Sequence, residues 1–144
     1  MALGLKANYG NEELDYPWVN SVAAACNQAA QVLQGWVADD AQNPSLGTLP
    51  ADTYVTAVRI QVTEAFNSDG TDEISVGWDA SVTALATATD VATTGIKTVT
   101  AGASIGYNAT SRALEAYYVN GGTEPTTGKA LVQVEYHNVA AEVA

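Results

Sequence analysis

Residues 129–137 read KALVQVEYH, in which Ala130, Val132, Val134 and Tyr136 alternate with Leu131, Gln133, Glu135 and His137. A period of two sends alternate side chains to opposite faces of an extended strand, whereas a helix would scatter them around its circumference. The same period returns where Val58, Ile60 and Val62 alternate with Arg59, Gln61 and Thr63, and again where Ile74, Val76 and Trp78 share one side of residues 73–78. Such strands bury one face each, so the chain must bring two sheets together or close one on itself.

Shorter extended stretches follow the same logic at residues 96–100, 104–107 and 114–120, the last ended by Gly121-Gly122. Seven or so short strands at this spacing predict a mainly β fold, an antiparallel sandwich or jelly roll. Residues 79–92 are rich in Ala and Thr and read as a loop over the sheet or a single helical turn. Residues 38–52, ADDAQNPSLGTLPAD, have the turn residues of a long loop.

The N-terminal third is less regular. Residues 1–16, rich in Gly, Asn and acidic side chains, read as an extended arm. Residues 17–37 admit two readings. Val19, Val22, Ala23, Cys26, Ala29, Ala30, Leu33 and Trp36 follow helical spacing, with Pro17 placed for a first turn. Residues 31–38 also alternate as a strand. The reading adopted is a short helix or irregular segment, then a strand near 30–38. The domain organisation expected is thus an arm over 1–16 and one sandwich domain over 17–144. The length of 144 residues suffices to bury a core without metal or disulfides.

Charge narrows the function classes. The formal net charge is -11, with five basic residues. Phosphate contacts need Lys and Arg, so nucleic acid and anionic membranes are not expected partners. No run approaches the roughly 20 apolar residues of a membrane-spanning helix. Cys26 is the single cysteine, which excludes an intrachain disulfide and reads as a small buried hydrophobe. The start, MALGLKANYG, has no apolar run of signal-peptide length.

No constellation of catalytic or metal-binding residues emerges, and neither a catalytic site nor a cofactor is expected. His137 is the single histidine and reads as a surface side chain on the wetter strand face. The loop from Asn67 to Glu73, NSDGTDE, gathers three carboxylates, but an EF-hand alignment on Gly70 puts Ala65 and Val76 where oxygen ligands are required. Asp69-Gly70 reads instead as a hairpin turn. Asn108-Ala109-Thr110 matches a glycosylation sequon, which matters only on secretion. Arg59 and Arg112 alternate with apolar neighbours and are placed on outer faces, where they read as solvated charges or interface residues.

SVGWDA at residues 75–80 returns as SIGYNA at residues 104–109. Two copies are too few for a repeat architecture. They read as two similar corners, in which Gly permits a bulge or close approach and Asp79 or Asn108 caps a turn. The rival reading makes Trp78 and Tyr107 platforms for sugar stacking.

From about Leu46 to Val139 the order of features resembles small virion proteins of tailed bacteriophages, the jelly-roll or sandwich capsid decoration (cement) and head-fibre proteins. The stretches that carry the resemblance are TLPADTYVTAVRIQVTEAFNSDGTDEISVGWDA, a variable Ala/Thr segment around ATD, AYYVNGG and ALVQVEYHN. The resemblance implies a structural protein without enzymatic activity, on the outer capsid surface of the virion after synthesis in the host cytoplasm. Its implied partners are the major capsid protein and further copies of itself, as a homotrimer at three-fold or quasi-three-fold positions. The arm would engage the shell or a neighbouring copy. The alternative is a phage tail or fibre domain binding host glycan through Trp78, Tyr107 or the Tyr117-Tyr118 pair.

Overall fold

A computed structural model describes residues 29–139. The strands in chain order are β1 (Gln31–Ala38), β2 (Ser45–Leu49), β3 (Thr53–Glu64), β4 (Asp72–Trp78), β5 (Ser81–Asp90), β6 (Gly95–Ile96), β7 (Gly106–Asn108), β8 (Arg112–Asn120) and β9 (Lys129–Asn138). They form two antiparallel sheets. The first has the order β1-β9-β3-β6, with β7 also on β3, and the second has the order β2-β8-β4-β5.

The sandwich follows from the alternation. Ala130, Val132, Val134 and Tyr136 of β9 are buried, as are Val55, Ile60 and Val62 of β3. Ile74, Val76 and Trp78 of β4, Leu114, Ala116 and Tyr118 of β8, and Leu85 of β5 meet them from the second sheet to make one core. Two register shifts, at Val55/Ala57 and Val62/Glu64, interrupt the long β3. Each inserts a residue, bends the strand and increases its local twist.

Residues 31–38 form the strand expected near 30–38, paired along their length with β9, and do not use the helical spacing of Leu33 and Trp36. Leu33 instead packs on the core while Trp36 faces outward. The arm over 1–16 and the helical reading of 17–28, with Cys26, lie outside the described residues.

Residues 79–92 are neither loop nor helical turn: a tight turn at Asp79-Ala80 leads directly into β5. Its pairing with β4 shifts register twice, between Ile74/Val76 and Val76/Trp78. The shifts place Ala84, Leu85 and Ala86 consecutively inside, which erases the period-two signal. The long loop 38–52 contains β2, whose register shifts between Ser45 and Gly47. A bulged, Gly-containing edge strand after Pro44 has the composition of a turn.

Asp69-Gly70 is not a hairpin turn. β3 and β4 belong to different sheets, so the loop carries the chain across the sandwich. Its side chains hold that crossing. Asn67 Oδ1 accepts from the Thr126 and Thr127 N–H groups at 2.8 and 3.1 Å, and Asp69 Oδ1 accepts from the Thr123 N–H at 2.7 Å.

The predicted strand at 96–100 shrinks to Gly95–Ile96 because the following residues change sheets. The Thr87 N–H donates to Thr100 O at 3.0 Å, the Gly102 N–H to Leu85 O at 3.0 Å and the Ser104 N–H to Ala84 O at 2.8 Å. Residues 97–105 thus form a strap. It leaves β3, lines the edge of β5 and returns to β3 as β7.

Candidate functional site

The outer face of the first sheet is the surface on which interaction chemistry concentrates. Val32, Trp36, Tyr54, Ile96 and Tyr107 are all exposed, and register sets them on this face. Trp36, Leu131, Gln61 and Ile96 make one cross-strand row; Gln34, Gln133 and Arg59 make the next. Tyr54 lies opposite both His137 and Tyr107. Direct cross-strand neighbours have Cβ atoms about 5 Å apart, so each row is a continuous contact surface.

The polar groups of this face bond mainly to one another. The Gln133 side-chain amide donates to Gln34 Oε1 at 2.8 Å. Arg59 pairs with Glu135 at 2.7 Å. Lys129 Nζ lies 5.0 Å from the centroid of the Trp36 ring, and Tyr54 stacks on His137 at 5.5 Å. Self-paired charges and amides need fewer new partners when a second surface removes their water. Aromatic side chains and Arg on a face short of free charge are the composition of interface centres.

Tyr107 marks one end of the face. Its hydroxyl donates to Asp52 Oδ1 at 2.6 Å. That bond holds the phenol above its ordinary pKa, because ionising it would leave two anions in contact. Asp52 itself adopts a left-handed backbone, φ 56°, which Asp tolerates better than most side chains.

The residues singled out in the sequence do not converge. Trp78 is 9% exposed where Trp36 is 46% exposed, so of these two indoles the accessible one is not in the repeated hexapeptide. Arg112 lies 4.6 Å over the Trp78 ring, which corrects its placement as a freely solvated outer charge. Trp78, Arg112, Asp79 and Glu115 line a shallow groove of about 300 Å³.

Tyr118 is in the core, stacked on Phe66 at 4.8 Å, and its hydroxyl donates to buried Asp72. Tyr117 is half-buried, and its phenol is held above its ordinary pKa first by burial and then by Glu115 and Asp79. Of the aromatics considered for glycan stacking, Tyr107 is therefore the well-exposed one. Asn108 of the sequon turns its side-chain amide onto Ser104 O and Gly106 O at 3.0 and 3.1 Å, the turn-capping role expected of it.

The sequence reading missed Trp36, Tyr54 and Ile96 as surface residues. Local alternation marked neither Tyr54 nor Ile96: only the bulge at Thr56 turns Tyr54 out of the phase of Val58, Ile60 and Val62, and Ile96 lies in a two-residue strand.

No family model matches the chain, and no curated protein matches it in sequence. Among solved structures, the chain is similar to a chain described as cyanophage Pam1 capsid asymmetric unit. The TM-score is 0.62 at 19% identity, over 96% of this chain and 98% of that chain. At that identity the likeness is one of fold.

Proposed function

We propose that this chain is a structural virion protein of a tailed bacteriophage that binds the outside of the capsid and stabilises it as a homotrimer at three-fold or quasi-three-fold positions. The observation that carries the reading is the fold likeness to a chain of a phage capsid asymmetric unit, which extends over nearly the whole of both chains. The outer face of the first sheet adds a physical reason. It offers exposed aromatic and aliphatic side chains on a surface where Arg59 and Glu135 pair with each other. We place the contact with neighbouring subunits there.

The protein has no catalytic role in this reading. The best-positioned carboxylates serve bonds within the fold: Asp52 accepts from Tyr107, Asp69 from Thr123 and Asp72 from Tyr118. Nucleic acid and membranes are not partners.

The test is co-purification. The chain is expected to band with phage particles in a density gradient and to be labelled there by a reagent that does not enter the shell. Absence from purified particles overturns the proposal. Light scattering is expected to give a trimer of the 14.9 kDa chain, free or after release from particles. Trp36→Glu is expected to weaken particle binding by about 2 kcal/mol, the scale of an interface hot spot. Its melting temperature should stay within a few degrees of the parent because Trp36 is not in the core. Unchanged binding would move the contact off this face.

A further inference from the structure

The strap creates a notch in the edge of the first sheet. β7 pairs with residues 53–55 of β3 and β6 with residues 61–62. Between them the Lys97 N–H donates to Ile60 O at 2.9 Å, and no backbone hydrogen bond joins residues 56–59 to the strap. Ile60 therefore turns its carbonyl away from β9 and toward this edge. No register shift separates it from Val58, so antiparallel alternation turns the Val58 N–H and C=O toward the edge as well. Behind these groups lies a cavity of about 210 Å³ between Val58 of β3, Leu85 of β5 and Val99, Ala101 and Ile105 of the strap. Strand groups without a backbone partner among the described residues, beside an apolar hole, are the two halves of a strand-addition site: the backbone supplies affinity and the hole selects a side chain.

We propose that the notch is filled by the chain's own residues 13–15, Glu13-Leu14-Asp15, paired with β3 and with Leu14 in the cavity. These residues precede the described part of the chain. Their pattern fits: in an added strand, an inward Leu14 would be flanked by Glu13 and Asp15 on the outer, solvent-facing side. Charge fits as well. On a chain of net charge -11 an acidic segment is repelled from most of the surface. Among the described residues no carboxylate lines the cavity, and Lys97 stands beside Ile60 at one end of the gap.

Reach and direction agree. Gln31, Tyr136, Val55 and Gly106 lie on one cross-strand row, so β1 begins about 14 Å from the notch edge, three strand spacings away. β1 runs parallel to β3, because both are antiparallel to β9. A segment added antiparallel to β3 therefore leaves the notch at the end where β1 begins. Residues 16–30 then have to cross that gap, and extended they reach up to about 50 Å.

Two measurements on the full chain test this, and neither uses phage particles. In amide exchange, the Val58 N–H is expected to be protected at least tenfold more in the parent than in Leu14→Asp, with the β9 amides equally protected in both. Equal protection of Val58 in both proteins overturns the proposal. In a Cys26→Ser background, Leu14→Cys with Val99→Cys is expected to form a disulfide within one chain, seen as a monomer on a non-reducing gel. A disulfide-linked dimer would assign the notch to a neighbouring copy's segment. Two free thiols would rule out docking by this segment in either form.

Discussion

Gly77→Ala is expected to destabilise the protein by about 3 kcal/mol or more, whereas Gly106→Ala, at the equivalent place in the repeated hexapeptide, costs about 1–2 kcal/mol. The difference lies in what stands next to each glycine. A Cβ on Gly77 would lie 2.1 Å from Ser81 O and 2.9 Å from Ala84 N, both backbone atoms of the strand that the tight turn brings back alongside. Backbone cannot swing aside as a side chain can, so the β4–β5 pairing has to open. That pairing brings Leu85 into the core, and the damage spreads.

Gly106 has φ +116°, which an L side chain resists, but no atom lies within 4 Å of the added methyl. Its cost is local backbone strain at an edge strand. Thermal unfolding of the two variants reads the difference directly. Gly77→Ala should melt about 10 °C or more below the parent and Gly106→Ala only a few degrees below. Equal losses would mean that the repeated glycines do the same job.

Asp72→Ala is expected to cost about 2–3 kcal/mol, and Tyr118→Phe a similar amount. Asp72 is 2% exposed and sits at the start of β4, where the crossing loop enters the second sheet. It accepts hydrogen bonds from the Tyr118 hydroxyl and from the Ser68 N–H at 3.4 Å. Removing either member leaves a buried polar group short of a partner, which costs more than the bond itself contributes. The double variant is therefore expected to lose less than the two singles added, with a coupling above about 1 kcal/mol. Additive losses in urea unfolding would show that the pair does not act as a unit.

The same pair sets an alkaline limit. Burial, and then the bond to Asp72, raises the Tyr118 pKa above its ordinary value of 10.0. The folded protein thus holds the phenolic proton more tightly than the unfolded chain does. That contribution to stability is complete below pH 10 and is lost as pH rises above it. In Tyr118→Phe the loss attributable to this group should disappear, and the stability profile above pH 10 should be flatter than the parent's. A parallel decline in both proteins would exclude Tyr118 as its source.

The placement of these groups shows how far reading the chain alone could go. Wherever a strand alternates without interruption, as in β9 and the second half of β3, residue types were enough to assign both its extent and its buried face. Period two is a local property of the extended backbone. The charge balance was also legible, because it depends only on which side chains the chain possesses: five cations against sixteen carboxylates.

Tertiary structure decided everything that depends on pairing. Bulges put Ala84, Leu85 and Ala86 inside together and hid β5. Edge position allowed Ser45–Leu49 to be a strand despite its turn-like composition. Sheet assignment turned an apparent hairpin loop into a crossing between layers. The same freedom separated the two hexapeptides, burying Trp78 beneath Arg112 and leaving Tyr107 exposed. It also exposed Trp36, Tyr54 and Ile96 on one face and opened the notch at Val58. Contacts between residues far apart in sequence obey register and layer order, and neither is written in the residue types of any single segment.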